Sequence, residues 1–219
     1  MARPSAESRV PLTAERILQA GVALADAHGL DALTMRALGQ ELGVQAMSLY
    51  NHVAHKDALL DGMVEVVVAE IDVPDPCAPW KEAMRRRAWS AHTVLMRHPW
   101  AAGLMMSRVN VGPNMLRYVD ATLQCLHRAG FTLPEADRAW NTLDSHIYGF
   151  TLQKLNFPFD PAEYAAQAAG YLPFLSAEEK PGLHALTVLV AAGEHDGLHE
   201  LGFGLELLLD GLERRLTAR

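Results

Sequence analysis

The sequence predicts an all-α protein: a small N-terminal three-helix, helix-turn-helix domain followed by a larger C-terminal helical domain. Three observations carry this. Ala, Leu, Met and Glu dominate long runs and β-branched clusters are few, a composition that favours helices over strands. Apolar residues recur at three- and four-residue spacing, the period of a helix with one buried face. Proline- and glycine-containing breaks cut the chain into helix-length pieces.

Residues 1–12, MARPSAESRVPL, are polar with two prolines and are expected to be a disordered arm. Arg3 and Arg9 could reach a DNA groove from it, although a loose tail is the simpler account. Thr13 is placed to cap a first helix, because a hydroxyl oxygen can accept a free amide of the first turn. Ile17, Leu18, Gly21, Val22, Leu24 and Ala25 line its inner face, and His28-Gly29 closes it.

Residues 33–56, LTMRALGQELGVQAMSLYNHVAHK, are the stretch around which the rest is organised. Thr34 can cap a second helix, along which Met35, Leu38 and Leu42 recur on one face. Gly43 ends it, since the position after a helix often needs positive φ and glycine has no Cβ to clash. Val44 returns to the core, and a third, short helix runs through Met47, Ser48, Leu49, Tyr50 and Asn51. Two short helices joined by a glycine turn form a helix-turn-helix, whose second helix can lie in the major groove. From Leu42 to Lys56 there is no acidic residue, and Gln45, Ser48, Tyr50, Asn51, His52, His55 and Lys56 supply donors and acceptors for bases and phosphates. On pattern alone, an ordinary corner between two helices remains the alternative.

A fourth helix is expected from about residue 55 to 71. Its apolar positions, Leu59, Leu60, Met63, Val64, Val67 and Val68, are too many for a free linker, so it should pack on both domains. Three prolines between residues 74 and 79 mark the clearest boundary in the chain. These breaks divide the protein into 13–54 for the helix-turn-helix domain, 55–72 for the connecting helix and 79–219 for the C-terminal domain. Within the last, helices are expected over residues 80–98, 100–108, 113–129 and 134–156, short ones over 162–169 and 183–192, and a final one over 196–215 capped by Asp196. Arg85, Arg86 and Arg87 read as a solvated face with ion pairs rather than an anion contact. Leu198, Leu201, Leu205, Leu208, Leu212 and Leu216 form a packing stripe on the final helix. Gly202, Gly204 and Gly211 each weaken that helix by about 1 kcal/mol relative to alanine, which is easier to explain if another backbone comes close.

The chain has 219 residues, half of them apolar, and a net charge of −7. That charge is unusual for a nucleic-acid binder. Residues 1–60 carry −1 of it (5 Lys+Arg against 6 Asp+Glu) and the remainder −6 (14 against 20), so DNA affinity would have to come from a local patch doubled by dimerisation. Cys77 and Cys125 have no metal-binding or disulfide spacing. No signal peptide and no stretch of 18 apolar residues is evident, so the expected location is the cytoplasm, with no membrane partner.

The run LTMRALGQELGVQAMSLYNHVAHKDALLDGM resembles the N-terminal domain of the tetracycline-repressor (TetR) family. The shared features are the threonine opening helix 2, Arg36 two residues on, LGV in the turn, and SLYNHV followed by K-x-x-L-L. Beyond this domain the likeness holds in layout, nearest the tetracycline-repressor branch. It implies a ligand-responsive DNA-binding transcriptional regulator, a repressor released from a palindromic operator by a small molecule, and not an enzyme. It assigns Arg36, Met47 and Gln45 or Ala46 to bases, and Tyr50, His52 and Lys56 mainly to phosphates, with Thr34, Ser48 and Asn51 completing the DNA-binding set. Asn51 stands where the tetracycline branch has an aromatic residue, which points to a different operator.

The resemblance also implies a homodimer joined through two long helices per subunit, here those near residues 134–156 and 196–215. It further implies an effector pocket among helices 5 to 8. Ala91, His92, Met96, Trp100, Leu104, Met105, Met106, Trp140, Asn141, Ser145 and Tyr148 lie on those helices. Tetracycline-binding members hold a magnesium–drug chelate with a histidine on helix 6 and a glutamate late in helix 8. Met105 and about Gln153 stand at those places, and neither suits an ion that wants hard oxygen. No metal or cofactor is therefore expected, and the effector should be an uncharged or weakly polar molecule anchored by groups such as Asn141 and Ser145. Two other functions stay open on the residues. His195, Asp196, His199 and Glu200 could serve an all-α metal-dependent enzyme, and the helix-turn-helix face could bind protein in a helical adaptor.

Overall fold

The computed structural model describes residues 11–160, 163–196 and 200–218, and every regular element among them is helical. Thr13 Oγ1 accepts from the Arg16 amide at 3.2 Å and opens α1 (Ala14–His28), which buries Ile17, Gly21, Val22 and Ala25. Thr34 Oγ1 accepts from the Ala37 amide at 3.0 Å and opens α2 (Met35–Glu41). After the turn come α3 (Ala46–Leu49) and α4 (Lys56–Ala69). His55 caps α4 with its ring, Nδ1 accepting from the Ala58 amide at 3.0 Å. Leu59, Met63, Val64, Val67 and Val68 of α4 are all buried, and the helix touches α1 on one side and α6 and α7 on the other. The connecting helix thus packs both ways, as its apolar count requires.

Beyond the proline-rich segment, α5 (Trp80–Arg97), α6 (Pro99–Ser107), α7 (Pro113–Arg128), α8 (Leu133–Leu155) and α11 (Leu201–Thr217) form the larger bundle. Helix α8 opens on a capping box in which the Thr132 amide donates to Glu135 Oε2 at 2.9 Å. Helices α9 (Tyr164–Tyr171) and α10 (Pro181–Ala191) pack chiefly on each other, and Tyr171, Phe174, Leu183, Leu186 and Leu189 around them stay exposed.

Several expectations change. The third helix is shorter than its apolar pattern suggests: Tyr50, Asn51 and His52 lie in the turn after Leu49. The final helix begins at Leu201, not Asp196, so Asp196 does not cap it; that acid sits beside His195 at 3.8 Å. Leu198 and His199, and the arm over residues 1–10, lie outside the described residues. Arg87 is the largest departure. Its neighbour Arg86 is exposed and Arg85 is half-buried and paired with Glu82 and Glu206, but Arg87 is 1% exposed. Its register, with Ala83, Met84, Ala88 and Ala91, places it on the buried face of α5. At Gly204 the close neighbour is the His146 ring rather than a backbone, and the space around Gly211 is open.

Candidate nucleic-acid interface and cavity

The turn between α2 and α3 is set by two glycines. Gly43 has φ +68°, the left-handed region that costs other residues energy. Gly39 is the point of closest approach: a Cβ there would lie 2.9 Å from the Val44 carbonyl oxygen and 3.1 Å from the Ala46 nitrogen. The Val44 amide donates to the Gly39 carbonyl at 2.8 Å, which pins the start of α3 against α2. Leu38 and Leu49 are fully buried beneath this contact.

With α3 so held, its outward residues are presented together. Met47 is 72% and Tyr50 43% exposed. Arg36, Gln45, Asn51, His52 and Lys56 are exposed, and Ala46 and Ser48 are half-buried. Thr34 is exposed too, but its hydroxyl oxygen is already engaged in capping α2. The residues expected to meet DNA are thus open or half-open to solvent on α2, α3 and the turn after it, and the segment 42–56 among them holds no acidic residue. The acids that follow on α4 do not stand alone: Arg108 Nε donates to Asp61 at 2.8 Å and its Nη1 to Asp57 at 3.1 Å.

A cavity of about 360 Å³ lies between α6, α7 and α8. Met105, Met106, Met115, Val119 and Trp140 supply its apolar wall, and Arg108, Asn110, Asn141, Ser145, Asp144, Tyr118 and Tyr148 its polar one. Of the pocket residues expected from sequence, Met105, Met106, Trp140, Asn141, Ser145 and Tyr148 line this cavity, whereas Ala91, His92, Met96, Trp100, Leu104 and Gln153 do not. Ala91 is core. His92 is buried and its Nδ1 lies 2.8 Å from Thr151 Oγ1. Met96 is half-buried on α5 and Gln153 is exposed on α8. Trp100 faces the N-terminal unit, its indole N–H donating to Asp26 on α1 at 2.6 Å.

Beside the cavity sits a buried ion pair that sequence reading missed. Arg87 Nη2 donates to Asp144 Oδ1 at 2.6 Å, Trp140 Nε1 donates to Asp144 Oδ2 at 2.7 Å, and the Tyr148 hydroxyl lies 3.3 Å from the same oxygen. The guanidinium rests over the Tyr118 ring at 4.6 Å from its centroid. Burial works against the charge on Arg87, but Tyr118 and Asp144 beside it hold its pKa above the ordinary value. Burial pushes the Tyr118 and Tyr148 hydroxyls well up, so both stay protonated. The signal was present in the register: Arg87 interrupts the apolar stripe of α5, and Asp144 lies between the buried Leu143 and Ile147 of α8. Asp144 is the cavity's one acidic side chain and is already taken by three donors, which does not fit a hard-oxygen magnesium site.

The two regions are joined through α4. Glu65 Oε2 accepts from the Asn114 amide at 2.7 Å and Oε1 from the Met115 amide at 3.0 Å, so a carboxylate of α4 caps the first turn of α7. At the other side, His98 Nδ1 lies 2.9 Å from Asp26 and its Nε2 3.4 Å from Glu70, gathering α1, α4 and the α5–α6 corner. No helix among the described residues is long and apolar enough to cross a membrane, and no group of three or more potential metal ligands occurs among them.

Known proteins share this layout. A family profile described as "Bacterial regulatory proteins, tetR family" matches residues 17–63, and one described as "Tetracyclin repressor-like, C-terminal domain" matches residues 73–216. The chain is 31% identical to the HTH-type transcriptional repressor DrrR1 of Streptomyces coeruleorubidus, over 99% of this chain and 83% of that protein. It is also 31% identical to the class D tetracycline repressor protein of Escherichia coli, over 94% and 92% of the two chains. Among solved structures, the Streptomyces coelicolor TetR family protein ActR in complex with actinorhodin superposes with a TM-score of 0.81 at 31% identity, covering 94% of this chain and 98% of that one.

Proposed function

Because the chain belongs to the tetR family of bacterial regulatory proteins, and so is a DNA-binding transcriptional regulator rather than an enzyme, we propose that it is a cytoplasmic, homodimeric repressor released from a palindromic operator by a small molecule. The observation that carries this is the exposed segment 42–56, free of acidic residues and built on α3, which is held by the close approach at Gly39 and the turn at Gly43. In this reading residues 13–54 form the DNA-binding domain, 55–72 the connecting helix and 79–219 the effector-binding and dimerisation domain. Arg36, Met47 and Gln45 or Ala46 face bases. Tyr50, His52 and Lys56 hold phosphates, with Thr34, Ser48 and Asn51 beside them. The effector occupies the cavity of α6, α7 and α8. The names of two relatives support a small-molecule effector: one is a tetracycline repressor, and the other was solved in complex with actinorhodin.

One reading helix meets only a few base pairs, so two copies are needed, spaced by about 34–36 Å to reach successive major grooves. Helices α8 and α11 supply the joint. Phe203 and Leu207 of α11 and Leu133 of α8 are 74%, 57% and 59% exposed on the single chain, and Gly211 leaves room for an approaching neighbour. Effector binding is transmitted through α4, which carries both Glu65 and the acids that hold Arg108. A near-complete switch requires about 5 kcal/mol of preference by the effector for the released state.

The test is a mobility shift on the DNA upstream of the protein's own coding sequence, with footprinting. A two-fold symmetric footprint is expected, lost in Tyr50→Ala/Lys56→Ala while helicity is kept. Undiminished binding by that variant removes these residues from the interface, and an asymmetric footprint removes the dimer.

A further inference from the structure

We propose that His98, buried where the DNA-binding head (residues 13–54) meets the C-terminal bundle, is a proton-operated clamp: when its ring carries both protons it ties Asp26 of α1 to Glu70 at the end of α4, and operator affinity rises. This rests on the reading of α3 as the DNA-contacting helix and adds the proton as a second input beside the effector.

Apart from α4, which packs on both units, the head meets the bundle chiefly through α1 and α6. His98 stands at that contact. It closes α5 and opens α6, and 7% of it is exposed. Its Nδ1 lies 2.9 Å from both oxygens of Asp26, and its Nε2 lies 3.4 Å from Glu70 Oε2. A carboxylate only accepts, so each ring nitrogen needs its own proton to bond its partner, and a neutral imidazole has one. With that proton on Nδ1 the bond to Asp26 is made, and a lone pair on Nε2 faces a carboxylate oxygen. The doubly protonated ring serves both acids, through two charge-assisted bonds.

The surrounding charges lean the same way. Asp26 faces the ring from α1 and Glu70 from the end of α4, while Arg97 of α5 sits 2.9 Å from the same Glu70 oxygen. Helix α6 contributes the neutral Trp100, whose indole N–H donates to Asp26 Oδ1 at 2.6 Å. Two anions against one cation leave one negative charge, which an imidazolium cancels. Histidine changes its charge between about pH 5 and 8. Toward the upper end the Nε2 contact turns repulsive, the end of α4 is no longer held to the α5–α6 corner, and the head samples more orientations. A head already fixed in one orientation loses less freedom when two of them must reach successive major grooves. Closing the clamp takes up a proton, so operator affinity is highest at low pH and falls as pH rises. Random DNA imposes no spacing on the heads, so the clamp adds nothing there. The orientation seen here is then the operator-binding one, and the sign of the pH effect tests that.

Fluorescence anisotropy at constant ionic strength, with the footprinted upstream duplex and a shuffled duplex of equal length, gives the ratio of operator to random affinity. In the native protein this ratio should rise roughly 3–10-fold from pH 8 to pH 6, the scale of one hydrogen bond. His52 and His55, on the DNA side, are common to every variant and cancel in the comparison. Glu70→Gln is the decisive variant. Its amide N–H can donate to the unprotonated Nε2 while its oxygen keeps Arg97, so the clamp closes without a proton. Its ratio should be independent of pH and equal to the native value at pH 6. His98→Phe, with helicity kept, should be independent of pH at the native pH 8 value. A Glu70→Gln profile that follows the native one, or that stays flat at the lower value, overturns the clamp. So does a native ratio that is constant or falls on acidification. In each of these cases operator preference persists and the reading of α3 stands. No operator preference in any of the proteins at any pH overturns that reading, and the clamp with it.

Discussion

Arg108 Nε lies 2.8 Å from Asp61 Oδ1, and the same arginine walls the cavity of α6, α7 and α8. With Asp57 at 3.1 Å, one cation neutralises two exposed acids on α4, the first of them adjacent to Lys56, which is proposed to hold a phosphate. Arg108→Gln uncovers both carboxylates beside the lysine proposed to hold a phosphate. DNA affinity should fall roughly 3–10-fold at low ionic strength, and the deficit should shrink near 1 M salt, where the screening length is about 3 Å. Fluorescence anisotropy across a salt series measures this. A deficit of constant size at all salt concentrations shows that the arginine acts by packing instead.

Lys56 itself should behave as a phosphate contact. Lys56→Ala in both subunits should weaken binding to operator and random DNA alike. It should also lower the slope of log affinity against log salt by about 2, one released counterion for each lost contact. A change confined to operator DNA would make Lys56 a base reader.

Gly39→Ala tests the α2–α3 contact. The added methyl meets backbone atoms of Val44 and Ala46 at 2.9 and 3.1 Å, and backbone cannot swing aside as a side chain can. Overpacking of this kind costs roughly 1–3 kcal/mol, and the separation of α3 from α2 should abolish specific DNA binding even where the chain stays folded. Urea unfolding and a mobility shift together decide. Native affinity in this variant means that α3 is not held by that approach.

The helix-turn-helix was legible because its signals are local. Thr34 as cap, Gly43 as terminator and the apolar seam through Leu38, Leu49, Val53 and Leu59 each follow from a few neighbouring residues. Gly39 was overlooked because its demand comes from a backbone five residues away, which no periodicity displays. The connecting role of α4 could be read from its number of apolar positions. Arg87 could not, since three successive arginines look solvated until the helix register is placed against Asp144, 57 residues later in the chain. Trp100, read as a pocket wall, is instead tied to Asp26 by a hydrogen bond across 74 residues. Aromatic and methionine stripes state that a helix face is buried but not what lies against it.

The Arg87–Asp144 pair makes an asymmetric stability prediction. Arg87→Met alone leaves a carboxylate 9% exposed without its cation, and breaking a buried pair in this way costs about 3–5 kcal/mol. Arg87→Met with Asp144→Leu removes both charges, and should recover most of that loss, because apolar replacement of a whole buried pair is often close to neutral. Urea midpoints of the two variants compare them directly. Equal destabilisation of single and double variants shows that packing of the guanidinium over Tyr118, rather than charge pairing, holds this region.

His92 supplies a pH dependence of definite sign. The Thr151 hydroxyl donates to the Ile147 carbonyl at 2.6 Å, so its oxygen must accept from His92, which fixes the proton of the neutral ring on Nδ1. Burial, and secondarily the charge of Lys154, lower the His92 pKa below that of an unfolded histidine. The unfolded chain therefore binds more protons than the folded one over the interval between the two values, and stability rises with pH there. The contribution is fully present above the unfolded value of about 6.5 and is lost as pH falls toward the folded one. His92→Gln lacks the titration, so the stability gap between native and variant should be widest at pH 7.5 and narrow steadily toward pH 5.5. Urea unfolding at several pH values measures that gap. A gap that widens on acidification would mean that folding favours the protonated ring, contrary to its burial.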